Sequence, residues 1–230
     1  MKVAEIFNSI QGEGKWVGMP SVFVRTSGCN LRCSWCDTPY ASWRPEGEDM
    51  EVEAIVDRAI SLGAPHVVVT GGEPMIQPQL PLLIQSLRSR GRYVTVETAG
   101  TVWQDIEIDL ASISPKLSNS RPPSDTPGGW AQMHESRRLN WEVLSKWASS
   151  PLIRDRQWKF VISQPADLME VDSILHRLRI SPGDVVLMPE GVDDRDLQHK
   201  AQWVSKLCQN KNFRFGTRLH VWLYGNRRGT

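Results

Sequence analysis

Short apolar, β-branched runs alternate along the chain with longer stretches whose apolar residues recur at helical spacing. The runs at 22–25, 66–70, 93–97, 111–114, 158–162 and 185–188 read as strands, and 219–223 is a seventh candidate. Between them, Val52, Ile55, Val56, Ala59 and Ile60 share one helical face. Leu80, Leu83, Ile84 and Leu87 share another, closed by Gly91 as a C-terminal cap. Leu168, Val171, Ile174, Leu175 and Leu178 form a third, with Pro165 near its start, where a missing N–H costs little. This alternation predicts parallel βαβ units.

Almost every strand run ends in a polar or glycine-bearing segment. These are Thr26-Ser27-Gly28-Cys29, Thr70-Gly71-Gly72-Glu73-Pro74, Glu97-Thr98-Ala99-Gly100, Ser114-Pro115-Lys116 and Met188-Pro189-Glu190-Gly191. Ligands of parallel α/β sheets bind at the carboxyl ends of strands, so these turns mark one active edge. Six or seven units are too few to close an eight-stranded barrel. The expected fold is therefore an α/β open partial barrel of about six parallel strands, forming one domain over residues 1–230. Residues 117–130, rich in proline and glycine, read as an irregular loop, and 225–230 as a polar tail, either disordered or docked, in which Arg227 and Arg228 are solvated.

Composition narrows the function classes. Folding a chain of 230 residues buries roughly 70–75% of its unfolded surface, so a core forms without metal or disulfide staples. Lys plus Arg number 27 against 26 for Asp plus Glu, a formal charge of +1. That balance leaves no electrostatic footprint for nucleic acid or an anionic membrane. The first residues form no continuous apolar segment and no run of 18 apolar residues occurs, so a cytoplasmic protein is expected. Of the four cysteines, three fall within eight residues, and Cys33 and Cys36 are too close for a comfortable disulfide. Metal or redox chemistry is the better reading.

The three cysteines form a C-x3-C-x2-C loop, Cys29, Cys33 and Cys36, within residues 26–38 and just after a strand. A 4Fe–4S cubane takes one thiolate per iron, so three thiolates leave one iron open. The natural occupant is the amino and carboxylate chelate of S-adenosylmethionine, whose carbon–sulfur bond a single electron can break. A structural zinc site completed by Cys208 or a histidine is the alternative. The chain has no second cysteine pair, and Cys208 sits in a helical pattern, where it reads as a buried thiol.

The cysteine loop, with Trp35 before its third cysteine, resembles the radical S-adenosylmethionine superfamily. So does Gly71-Gly72-Glu73-Pro74, whose carbonyls and carboxylate suit a cationic ammonium. Within the superfamily, Ser9-Ile10-Gln11-Gly12-Glu13-Gly14, Gly18, Pro20-Ser21, Arg25, Gly28-Cys29 and Trp35-Cys36-Asp37-Thr38 resemble the 7-carboxy-7-deazaguanine synthases of the queuosine pathway. The resemblance implies a homodimer that contracts the ring of 6-carboxy-5,6,7,8-tetrahydropterin with loss of ammonia. It further implies S-adenosylmethionine as a regenerated cofactor, Mg²⁺ as an additional requirement, and an electron donor such as flavodoxin.

Carried over residue by residue, Ile10, Gln11 and Gly12 hold the pterin edge and Arg25 meets the substrate carboxylate, which its planar fork suits. Thr38 supplies the one protein oxygen to Mg²⁺, an ion that keeps most of its water. Thr70 touches substrate, while Gly72 and Glu73 face the methionyl group. Ser114, Pro115 and Lys116, with Lys159, Phe160, Val161 and Ile162, line the nucleoside. Glu97 faces ribose or substrate, and His220, on the last strand candidate, approaches the pterin. Two rivals remain at this level. One is a glycyl-radical activase of the same superfamily, against which Gln11-Gly12-Glu13-Gly14 and Asp37-Thr38 argue. The other is a zinc-stabilised protein without catalysis.

Overall fold

Six long parallel strands lie where the β-branched runs place them. In the computed structural model, which describes residues 1–230, they are β2 (Pro20–Thr26), β4 (His66–Gly71), β5 (Tyr93–Thr98), β6 (Ile108–Ile113), β7 (Ile153–Ile162) and β8 (Val185–Pro189). Three more strands escaped the pattern: β1 (Lys2–Ile10), β3 (Glu48–Asp49) and β9 (Arg214–Phe215). All nine form one sheet in the order β3-β1-β2-β4-β5-β6-β7-β8-β9. Only β1 and β3 run antiparallel to their neighbours. The two-residue strands β3 and β9 are the edges, and the barrel stays open between them.

From β2 onward each long strand pairs with the next in sequence. Right-handed crossovers in such a series put every helix that connects two of these strands on the same face. The helices are α1 (Val52–Ser61), α2 (Leu80–Ser89), α3 (Trp130–Arg138), α4 (Trp141–Ser149), α5 (Leu168–Leu178), α6 (Asp194–Lys211) and α7 (Leu219–Tyr224). The three predicted helical faces are the buried faces of α1, α2 and α5. With α4 and α6 they pack onto the sheet around a core of 36 buried residues. Gly91, with φ at 73°, takes the left-handed conformation that ends α2.

Side-chain alternation divides each strand between that core and the concave face. Val22, Val24, Val67, Val69, Val94, Val96, Phe160 and Ile162 enter the core. The residues between them, Phe23, Arg25, Thr70, Glu97, Lys159 and Val161, line a cavity on the other side. The lower end of this inner face is plugged by polar and aromatic groups. His66 sits between the Ser21 hydroxyl (2.7 Å) and the Thr95 hydroxyl (2.8 Å), and its ring packs beside Trp16 and Tyr93.

Burial holds this imidazole neutral and pushes its pKa down from 6.5 to about 4. The folded state thus resists a proton that the unfolded chain accepts. Stability from this site is complete above pH 6.5 and is lost as the pH falls toward about 4. The melting temperature should therefore drop between pH 7.5 and 5, and the drop should shrink in His66→Gln. An equal drop in both proteins would show that His66 contributes nothing to it.

The seventh strand candidate is a helix. Residues 219–223 belong to α7, whose turns are closed by Val221 and Trp222 N–H donating to the Arg218 carbonyl. Only Val221 is buried there, and Trp222 and Leu223 face outward. The strand next to β8 is β9 instead. His220 is accordingly a helical residue. No helix of the chain is long and apolar enough to cross a membrane.

Candidate active site

The cysteine loop leaves β2 and folds over the carboxyl ends of the strands, where a cavity of about 460 Å³ opens. That volume falls in the range of small-molecule sites. All three thiols of the loop are free and line it. Burial pushes the Cys29 and Cys33 thiols up to about 12, so they become thiolates only against a strong cation. Nowhere do three His, Cys, Asp or Glu side chains converge on a point where one metal ion would sit. Three thiolates from one loop can hold three irons of a cubane and leave the fourth open. This donor set fits a polynuclear iron–sulfur cluster.

Two backbone arrangements hold the loop. The first is the Gly71-Gly72 turn beneath it. Gly71 has φ at 148°, and a Cβ on Gly72 would lie 2.3 Å from the Gly28 carbonyl and 2.8 Å from Cys29 Cβ. Only glycine lets the two segments approach so closely. Gly72→Ala should therefore displace Cys29, lower iron per chain, and cut turnover by about 10²-fold, the penalty of roughly 1 Å of misplacement. Full iron content in that variant would contradict the packing argument.

The second is the 117–130 segment, which is ordered against the loop instead of being a free connection. Ser34 N–H donates to the Ser120 carbonyl (2.9 Å), and the Trp35 indole donates to the Asn119 carbonyl (3.1 Å). Arg32 N–H donates to His134 Nδ1 (3.1 Å), which fixes the tautomer that donates from Nε2 to Ser120 Oγ. The Arg32 guanidinium stacks 3.8 Å over the Trp130 ring. Sequence periodicity missed α3 because its only buried side chains are Ala131, His134 and Arg138, of which one alone is apolar.

A wall of buried charge lines the same cavity. Glu13 pairs with Lys159 and, at 3.2 Å, with Arg218. Arg218 also binds Asp37 and the Gly191 carbonyl, tying α7 to the cysteine loop and the turn after β8. Burial alone would raise the Glu13 pKa, but Lys159 and Arg218 hold it well below the carboxylate range. Gln11 bridges to the next group. It accepts from Glu13 N–H (3.1 Å) and donates to Glu97 (3.3 Å), whose other oxygen accepts from Thr70 (3.0 Å). His220 packs against Gly12, where a Cβ would collide with its ring. Glu13, Asp37 and Arg218 were given no role by sequence reasoning. The available signals were Glu13 and Asp37, lying inside the Gln11-Gly12-Glu13-Gly14 and Trp35-Cys36-Asp37-Thr38 motifs.

All but four of the residues predicted for the site line the cavity. The exceptions follow from local geometry. Phe160 and Ile162 alternate with Lys159 and Val161 on β7, so their side chains enter the core. Pro115 lies between Ser114 and Lys116, which reach the cavity while it does not. Glu73 is fully buried, and its carboxylate accepts from Met75 N–H (3.1 Å), Thr98 Oγ1 (2.8 Å) and Ala99 N–H (2.8 Å). It braces two strand ends and is not free for an ammonium group. The tail is docked, with residues 226–230 lining the cavity and Arg228 paired with Glu46 at 2.8 Å, while Arg227 and Arg228 stay exposed.

Residues 23–112 match the radical SAM superfamily. Over 228 residues the chain is 42% identical to the 7-carboxy-7-deazaguanine synthase of Rhodopirellula baltica, covering 99% of this chain and 88% of that one. The chain belongs to the 7-carboxy-7-deazaguanine synthase family. The synthase of Halobacterium salinarum is likewise 42% identical over 237 residues, covering 98% of this chain and 91% of the relative. The crystal structure of QueE from Escherichia coli superposes with a TM-score of 0.66 over 95% of this chain and 94% of that one, at 24% identity. That likeness reports the fold. The radical SAM superfamily implies a 4Fe–4S cluster and S-adenosylmethionine as cofactors.

Proposed function

We propose that the chain converts 6-carboxy-5,6,7,8-tetrahydropterin to 7-carboxy-7-deazaguanine and ammonia, with Arg25, Gln11, Glu97 and Thr70 holding the pterin. The supporting observation is one cavity lined by three cysteines outside any disulfide, the hydrogen-bonded Gln11–Glu97 pair and the Arg25 guanidinium, whose terminal nitrogens make no side-chain hydrogen bond. Substrate and product differ by one ammonia, so the conversion has no net oxidation or reduction. The cluster and S-adenosylmethionine supply the radical initiation. The protein's own part is binding and orientation.

Arg25 offers its terminal nitrogens to the substrate carboxylate, a bidentate match. The Gln11 amide and the Glu97 carboxylate, already bonded to each other, present a donor and an acceptor to the pterin edge. Glu97 is the carboxylate placed to accept a pterin N–H, and His220 closes the wall beside Gly12. Ser114 Oγ accepts from the Lys116 ammonium (2.8 Å), and this pair lines the nucleoside end with Lys159 and Val161. Gly72, at the cavity beside Cys29, faces the methionyl group. Thr38 supplies the protein oxygen to Mg²⁺. Its neighbour Asp37 is engaged by Arg218, so the remaining ligands are substrate and water. The reading includes a homodimer, a small electron-donor protein such as a flavodoxin, and a cytoplasmic location.

The test is turnover by anaerobically loaded enzyme. Product should form only when S-adenosylmethionine, a reductant and Mg²⁺ are all present, with the cofactor recovered unconsumed. A fully iron-loaded protein that gives no deazaguanine would defeat the reading.

A further inference from the structure

Arg25 lies directly opposite Glu5 across the antiparallel β1–β2 pair, beside the stacked pair Phe7 and Phe23. An irregularity in the ladder between Val3 and Glu5 sets this register. Such bulges commonly re-aim a side chain. Glu5 Oε1 accepts from Arg25 Nε at 2.6 Å and from the Tyr40 hydroxyl at 2.6 Å. Its other oxygen faces Arg228 Nε at 3.6 Å. The Arg228 guanidinium lies 4.2 Å over the Tyr40 ring and donates to the Ala4 carbonyl at 3.2 Å.

Arg25 makes no other side-chain hydrogen bond, and it lines the cavity, whereas Glu5 does not. A guanidinium has one N–H on Nε and four on its terminal nitrogens. With Nε fixed by Glu5, the plane of the fork is set and its four remaining donors are available on the cavity side. A long side chain otherwise loses rotamer entropy on engaging a ligand.

We infer that Glu5, held by Tyr40 and the tail residue Arg228, is the positioning residue that pre-orients Arg25 toward the carboxylate of the substrate. This inference rests on the reading of Arg25 as the carboxylate anchor. Glu5 touches no reacting atom and works through Arg25 alone. The docked tail thereby becomes part of carboxylate recognition.

The experiment compares loaded wild-type enzyme with Glu5→Gln, Tyr40→Phe and Arg25→Gln. Each is assayed for KM and kcat with the carboxylated tetrahydropterin, and for inhibition by tetrahydropterin lacking the carboxylate. Loss of a charge-assisted positioning bond should raise KM for the substrate about tenfold in Glu5→Gln. Its kcat should stay within about twofold, and binding of the uncharged analogue should not change. Tyr40→Phe keeps the ion pair and should shift KM in the same direction by about threefold, which keeps the test decisive should Glu5→Gln load poorly. An unchanged KM, or equal weakening of both pterins, overturns the inference. Arg25→Gln separates the two claims. If it abolishes the preference for the carboxylate while Glu5→Gln retains it, the inference alone fails. If Arg25→Gln keeps that preference, the anchor reading fails and takes the inference with it.

Discussion

Cys33→Ala should give a colourless protein that still folds, carries almost no iron and has no detectable turnover. Removing one auxiliary hydrogen-bond donor from an active site typically costs about 10²-fold. A cluster thiol is a different case, because two remaining thiols cannot grip a cubane and keep one iron corner for the cofactor. The fold itself does not rest on this side chain. Cys33 belongs to a small cluster with Leu31 and Ala99, separate from the core between sheet and helices. Cys208→Ala is the matched comparison. That thiol is buried in α6 and donates weakly to the Arg214 carbonyl at 3.5 Å. Its loss should leave iron content and turnover unchanged while lowering stability slightly. Iron analysis, absorbance and product formation on oxygen-free preparations of both variants check the pair. Iron retained in Cys33→Ala would refute the cluster assignment.

The sequence was most legible where one physical constraint acted alone. Strands such as His66–Gly71, entered from the core by Val67 and Val69, are written in β-branched residues because they are covered on one face by helices and on the other by the site. The cysteine loop was legible because its chemistry demands that residue type at that spacing. β1 was not, because polar residues and a ladder irregularity break up its apolar positions. Val3 and Ile6 are buried, yet Glu5, Asn8 and Ser9 interrupt the apolar run, and the irregularity near Glu5 breaks the alternation. Residues 219–223 misled for the opposite reason. Their apolar pattern suits a strand, but Arg218 is anchored by two carboxylates in the cavity wall, and the chain beyond it turns as a helix across the Gln11-Gly12-Glu13 loop. Glu73 shows why a motif names a place more safely than a role. The turn is at the cavity while the carboxylate braces the turn from behind.

Glu13→Ala should be the most destabilising single change in the site. Its side chain is 12% exposed and the two cations it joins, Lys159 and Arg218, are each 8% exposed. Deleting the anion leaves Lys159 buried with only the more distant Glu97 to compensate it, whereas Arg218 keeps Asp37. Breaking a buried pair in this way costs about 3–5 kcal/mol, or roughly 10 °C of melting temperature for a chain of this size. Truncating both partners removes the stranded charge, so Glu13→Ala combined with Lys159→Met should recover much of that loss, a coupling that a double-mutant cycle measures directly. The same pair governs part of the acid limb. Because the folded Glu13 carboxyl lies below its unfolded value of 4.5, its contribution is complete above that pH and disappears as the pH falls further. Glu13→Ala should therefore unfold with a shallower dependence on pH below 4.5 than the wild type. A loss under about 1 kcal/mol, or additive single and double variants, would mean that solvent reaches Lys159 and that the wall is not the sealed ion cluster its geometry describes.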